Sequence, residues 1–207
     1  MNNSWNKIVY KVWSPLYDNI FNTGRFRKAR LKVFQDAPFS KGKTVLYTGV
    51  GTGADLEYIH RDNLGITAVD NSLEMLEKAK VKFRDSSIQF LKMDVQNLSF
   101  EDESFDFIVA SLILSVVPNP DVCFKEMERV LKKDGQLIIF DKFAPGEGKL
   151  TLGKKLIRPL ISVLGTDIGI DFGELYRKNN RLLSKMEDSP VMMNGMYRKI
   201  VLKKNHE

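Results

Sequence analysis

From Thr44 onward, short apolar runs alternate with stretches whose apolar residues recur at three- and four-residue steps. The runs predict strands at 44–48, 66–70, 88–92, 105–111 and 136–142, and the stretches predict helices near 53–61, 72–84 and 120–133. Ser72, after Asn71, is a helix-capping residue, and Glu74 suits the positive N-terminus behind it. Pro118 and Pro120 mark the turn before the third helix, and Asp134-Gly135 is read as its end. Strand–helix alternation of this kind builds a parallel sheet with helices on both faces.

Both ends of the chain depart from this rhythm. Trp5, Ile8, Val9, Val12, Trp13, Leu16, Tyr17, Ile20 and Phe21 form an apolar stripe that Pro15 should break or kink. Gly24 closes that run, and Arg25 to Phe34 reads as a further helix. Residues 1–42 are therefore expected to form an N-terminal helical cap or lid, with 43–207 as the main domain. In the tail, 150–164 is basic and apolar, 172–183 reads as a helix, and 184–193 and 196–203 read as two strands joined at Asn194-Gly195.

Length and charge sharpen this picture. A chain of 207 residues suits one embellished domain, and no run of 18 apolar residues predicts a membrane span. The polar, aromatic N-terminus is not expected to be a signal peptide, and the lone Cys123 suits a reducing cytoplasm. The formal charge of +6 is uneven: about +7 over 1–43, −6 over 44–145 and +5 over 146–207. Basic flanks around an acidic centre fit an anionic partner such as lipid headgroups, or simply a solvated surface.

The chemistry concentrates at the strand ends. Gly49, Gly51 and Gly53 follow the first strand and allow a sharp turn that a ligand can approach closely. Asp70 lies 19 residues after Gly51 at the end of the second strand, where a carboxylate can receive both hydroxyls of a ribose. Asp94 ends the third strand and suits the exocyclic amine of an adenine. The glycines alone leave two other readings open, a dinucleotide fingerprint through Gly49, Gly51 and Ala54 or a tight connection without a ligand. His60 falls at the end of the first core helix, away from the carboxyl edge, His206 is in a charged tail, and no Cys/His cluster has metal-ligand spacing, so no metal is expected. Asp141, after the fifth strand, is a candidate substrate contact or structural hydrogen bond, whereas Asp106 at the opposite edge reads as structural.

Taken in order, Gly-Val-Gly-Thr-Gly, Ala-Val-Asp-Asn-Ser-Leu-Glu-Met-Leu, Lys-Met-Asp-Val, Phe-Asp-Phe-Ile-Val-Ala-Ser and Val-Leu-Lys-Lys-Asp-Gly-Gln-Leu-Ile-Ile resemble the class I S-adenosylmethionine-dependent methyltransferases over about 43–143. The resemblance implies an α/β, Rossmann-like fold with a seven-stranded, mostly parallel sheet whose last strand is antiparallel. It implies S-adenosylmethionine as cofactor, held by Gly49, Gly51, Gly53, Asp70, Asn71, Met75, Met93, Asp94, Val95 and Ser111. Tyr47 is a departure, because the family often has an acid at that position near the cofactor's methionine end. A carbonyl of the glycine loop or a water could serve the cofactor ammonium instead.

Trp13-Ser14-Pro15-Leu16-Tyr17-Asp18-Asn19-Ile20-Phe21, with Gly24-Arg25, is similar to the start of bacterial soluble phosphatidylethanolamine N-methyltransferases. The Tyr-Asp pair also resembles ubiquinone/menaquinone-biosynthesis methyltransferases. This narrower resemblance supports a lid that carries Tyr17, and a small-molecule or lipid acceptor, while Asp141 is the other candidate catalytic residue from its place at the carboxyl edge. The basic flanks and the Trp5/Trp13 stripe lead us to expect peripheral membrane association, and no nucleic acid is expected. Methyl transfer from a sulfonium is an in-line displacement that depends mainly on alignment, so no catalytic triad is required. The competing classes are a nicotinamide-binding oxidoreductase, for which no Tyr-Lys hydride-site pair is found, and a cofactor-binding regulator without catalysis.

Overall fold

The computed structural model describes residues 23–144, 170–179 and 181–206. The alternation of apolar runs becomes one seven-stranded sheet in the order β3-β2-β1-β4-β5-β7-β6. Its strands are β1 (Thr44–Thr48), β2 (Gly65–Asp70), β3 (Gln89–Lys92), β4 (Phe105–Ser111), β5 (Leu131–Lys142), β6 (Leu183–Met192) and β7 (Tyr197–Lys204). The pairs β1–β2, β2–β3, β1–β4 and β4–β5 are parallel. β7 inserts antiparallel between β5 and β6, so the predicted 184–193/196–203 hairpin closes the sheet as expected.

Period-two side-chain alternation divides the core between the two faces. On one face Leu46, Ile108, Ala110, Leu137, Ile139, Ile200 and Leu202 pack under α3 (Pro120–Val130) and α4 (Phe172–Asn179). On the other, Val45, Tyr47, Val109, Ile138 and Phe140 pack under α1 (Gly24–Phe34) and α2 (Leu73–Lys82). α1 buries Ala29, Arg30, Val33 and Phe34 against this second face. The remainder of the expected cap, including Tyr17 and the Trp5–Phe21 stripe, lies outside the described residues, as does the basic 150–164 segment.

Local chemistry explains most element ends. Ser72 caps α2 through a hydrogen bond from Met75 N at 3.3 Å, and Asn119 caps α3 through one from Val122 N at 3.3 Å with Pro120 in the first turn. Three expected boundaries move, each for a non-local reason. The helix expected over 53–61 is only a 3₁₀ turn, Asp55–Tyr58, because Asp55 turns its carboxylate to Arg30 and Ala54 offers no cap. The helix expected to 133 stops at Val130, since Glu103 N and Ser104 N take the carbonyls of Arg129 and Val130 at 3.0 and 2.9 Å. The chain passes straight into β5, where Leu131 pairs with Phe105. Asp134, at φ 59°, and Gly135 shape a bend inside that strand rather than a helix end. α4 ends at Asn179, four residues short of the expected 183, and Asn179 joins it to α3 through a 2.7 Å bond to Asp121.

Candidate functional site

The strand order reverses between β1 and β4, so their carboxyl ends flank a crevice where α/β sheets of this kind bind ligands. β1 runs into Gly49-Val50-Gly51-Thr52-Gly53, and all three glycines have positive φ, 68°, 56° and 78°. Val50 N bonds Val69 O at 3.0 Å and Gly53 N bonds Val50 O at 2.9 Å, which folds the loop back over the end of β2. A Cβ on Gly49 would meet Ile113 at 2.6 Å and one on Gly53 would meet Phe83 at 2.6 Å. A Cβ on Gly51 would meet nothing within 4 Å. The first and third glycines are thus needed for packing, while the second faces open space.

Asp70 stands beside that space. Its carboxylate accepts hydrogen bonds from Gly51 N and Ser72 N, both at 2.8 Å, which holds it at the junction of loop and α2. Removal from water pushes its pKa up, against these N–H groups and that of Asn71. Asp94, just past β3, accepts from Gln96 N at 2.9 Å and from Gln96 Nε2 at 3.1 Å, with Val95 buried next to it. Met75 is buried in the first turn of α2, and Met93 packs partly buried on the core with its sulfur accepting from Ser99 N at 3.4 Å. At the end of β4, the hydroxyl of Ser111 is buried and has no hydrogen-bond partner among the described residues. Leu112, at φ 53°, then turns the chain towards Ser115.

Asp141 lies inside β5, fully buried. It accepts from Ser115 N at 3.2 Å and from Lys142 N at 2.8 Å, so it ties the loop after β4 to β5. Burial raises its pKa against the hydrogen bonds from Ser115 and Lys142. Asp106, at the opposite edge, accepts from Thr44 N, Lys43 and Lys132, each at 3.0 Å, and clamps β1, β4 and β5 together. Cys123 is buried in α3. His60 is exposed behind the 3₁₀ turn, and His206 pairs with Asp134 at 2.6 Å, far from the crevice. The fold thus brings Gly49, Gly51, Gly53, Asp70, Asn71, Met75, Asp94, Val95 and Ser111 to one edge of the sheet.

The sequence reading misses a buried ion pair beside the glycine loop, Arg30 Nε to Asp55 Oδ1 at 2.6 Å. It also misses Ser115 as the partner of Asp141. No spacing signals either, because an arginine on an amphipathic helix is ordinarily read as a solvated residue. Among the described residues, no group of three His, Cys, Asp or Glu gathers to hold a metal.

This edge offers three features suited to a nucleoside: open space over Gly51, a fixed carboxylate at Asp70 and, at Ser111, a buried hydroxyl with no partner among the described residues. A family profile described as a methyltransferase domain matches residues 46–139, which include the glycine loop, both strand-end carboxylates and β4. A phosphatidylethanolamine N-methyltransferase of Cereibacter sphaeroides is 33% identical over 193 residues, covering 91% of this chain and 92% of that protein. The chain belongs to the S-adenosylmethionine-dependent methyltransferases. A demethylmenaquinone methyltransferase of Renibacterium salmoninarum is 33% identical over 138 residues, covering 65% of this chain but 57% of its own length. Among solved structures, an S-adenosylmethionine-dependent methyltransferase from Thermotoga maritima superimposes with a TM-score of 0.67 at 20% identity, covering 97% of this chain and 100% of that one. The [4+2]-cyclase SpnF reaches 0.76 at 17% identity, covering 97% of this chain and 96% of its own, so this fold also carries other chemistry. The cofactor of the methyltransferase is S-adenosylmethionine, which supplies a methyl group already activated on a sulfonium.

Proposed function

We propose that this methyltransferase methylates the amine of a phosphatidylethanolamine-type lipid, working from the cytoplasmic side at a membrane surface. The observation that carries this reading is the similarity to the Cereibacter sphaeroides protein along nearly the whole of both chains. The similarity to the demethylmenaquinone methyltransferase supports a second reading, a quinone precursor, but spans only 57% of that protein. Among the described residues no helix is long and apolar enough to cross a membrane, so binding would rest on surface contacts. The basic flanks and the aromatic N-terminal stripe favour an anionic, apolar surface.

In this reading, Asp70 receives the ribose hydroxyls and Asp94, beside Val95, the adenine amine. Gly49, Gly51 and Gly53 shape the loop against which the cofactor lies, with Asn71, Met75 and Met93 around the nucleoside and Ser111 supplying a hydroxyl at the end of β4. Tyr17 and Asp141 belong to the acceptor side, where Asp141 acts from within β5 by holding the Ser111–Ser115 loop in place. The chain's task is alignment: fixing donor and acceptor in line is worth up to about 7–11 kcal/mol of barrier.

The test is transfer of a radiolabelled methyl group into vesicles of phosphatidylethanolamine with an anionic lipid, at low and high salt, beside a demethylmenaquinone control. Labelled lipid is expected, with vesicle binding weakening as the Debye length shrinks from about 10 Å at 0.1 M to about 3 Å at 1 M. Label in the quinone alone, with no vesicle binding at low salt, would replace the first reading by the second.

A further inference from the structure

The amino-acid end of S-adenosylmethionine carries an ammonium and a carboxylate, and charges of opposite sign must meet them in a site that excludes water. Asp70 and Asp94 stand on the β2–β3 side of the glycine loop, where they suit the nucleoside. Asp141 has both oxygens occupied by backbone N–H groups. Where the loop ends lies the Arg30–Asp55 pair, with side chains only 3% and 10% exposed. Asp55 opens the 3₁₀ turn two residues after Gly53, while Arg30 comes from α1. Only Oδ1 of Asp55 meets Arg30; among the described residues no hydrogen bond reaches Oδ2.

Tyr47 is buried on the same face of the sheet as Ala29 and Leu56, the neighbours of Arg30 and Asp55 in the chain. It lies within β1, two residues before Gly49, with 1% exposure, and among the described residues its hydroxyl has no partner. Burial first, and then the charge of Asp55, push its pKa well above the ordinary tyrosine value, with Arg61 opposing. The phenol therefore stays neutral within the field of Asp55. An acid at this position would put a second carboxylate beside Asp55 with one buried arginine to share, and like charges at one buried site oppose each other's ionisation. A neutral phenol avoids that conflict.

Building on the methyltransferase reading, we infer that Asp55 receives the ammonium of the cofactor's methionine end, oriented by its ion pair with Arg30, while Tyr47 keeps position 47 neutral so that a single carboxylate serves the site. Asp55 is the binding residue here. Arg30 and Tyr47 are positioning residues.

The test compares two nucleosides by calorimetry on the full chain: S-adenosylhomocysteine, which has the ammonium and carboxylate, and 5′-methylthioadenosine, which lacks both. Asp55→Asn should weaken S-adenosylhomocysteine at least tenfold and leave methylthioadenosine within about twofold. Because a lone buried arginine can unfold the protein, the double variant Arg30→Met/Asp55→Leu replaces the pair with apolar side chains, a change often neutral for stability. It should show the same selective loss. A folded variant that binds S-adenosylhomocysteine like the wild type overturns the inference, as does an equal loss of both nucleosides, which marks a merely structural pair. Wild-type protein that binds neither nucleoside overturns the methyltransferase reading itself, and the inference with it.

Discussion

Gly51 offers a test of the site in which backbone strain and ligand space separate. Its φ of 56° is left-handed, and a Cβ there would meet nothing within 4 Å. Gly42 shares both properties, with a φ of 79° and no neighbour within 4 Å, but precedes β1 at the opposite edge of the sheet. Replacing either by Ala imposes the same backbone penalty, about 1–2 kcal/mol for an L-residue in this region. At this chain length that lowers Tm by about 2–8 °C. Only at Gly51 does the new methyl project into the space proposed for the cofactor. Crowding a well-fitted contact costs about 1–3 kcal/mol, a factor of about 5–150 in Kd. Thermal melts should therefore rank Gly42→Ala and Gly51→Ala together, while S-adenosylhomocysteine titration should separate them, with Gly42→Ala at the wild-type value. Normal binding by a folded Gly51→Ala protein would refute the placement of the cofactor against this loop.

Gly135→Ala should destabilise by about 1–3 kcal/mol in a urea melt, because its Cβ would lie 2.8 Å from the carbonyls of Asp106 and Lys132 and from Leu131 Cδ1. Gly65→Ala, whose nearest neighbour would be Thr44 Cγ2 at 3.6 Å, should be near neutral, and equal effects would undo the steric argument. Asp106→Asn should cost about 1–2 kcal/mol at pH 7, after allowance for the partly exposed lysines. Burial raises the pKa of Asp106, but its bonds from Thr44 N, Lys132, Lys43 and the Thr44 hydroxyl outweigh that and hold it well below 3.8. A depressed folded-state pKa gives stability that is present in full above the unfolded value and is lost as pH falls through the folded one. Urea midpoints of wild type and variant should therefore begin to converge only as pH falls below about 4 and should go on converging below pH 3, and a gap that stays constant down to about pH 2 would refute the clamp.

Much of this protein was written locally. The alternation of apolar runs and amphipathic stretches named every strand of the sheet, and period-two burial within β1, β4 and β5 followed from it. The glycine turn and Asp70 were legible because positive φ and a strand-end carboxylate leave a mark at fixed spacing. What the sequence could not determine depended on partners far away along the chain. Asp55 lost its helix to Arg30, 25 positions earlier, and the third helix lost its last turn to backbone donors at 103 and 104. Asp141 reads in the sequence as either a substrate contact or a structural bond, and only the fold brings Ser115 to it. Propensity and periodicity sum over neighbours, whereas a buried charge must find its counter-charge wherever the fold brings one. The sequence therefore determined the order and type of the elements, and only the tertiary structure decided where they end and which charged side chains face one another beside the glycine loop.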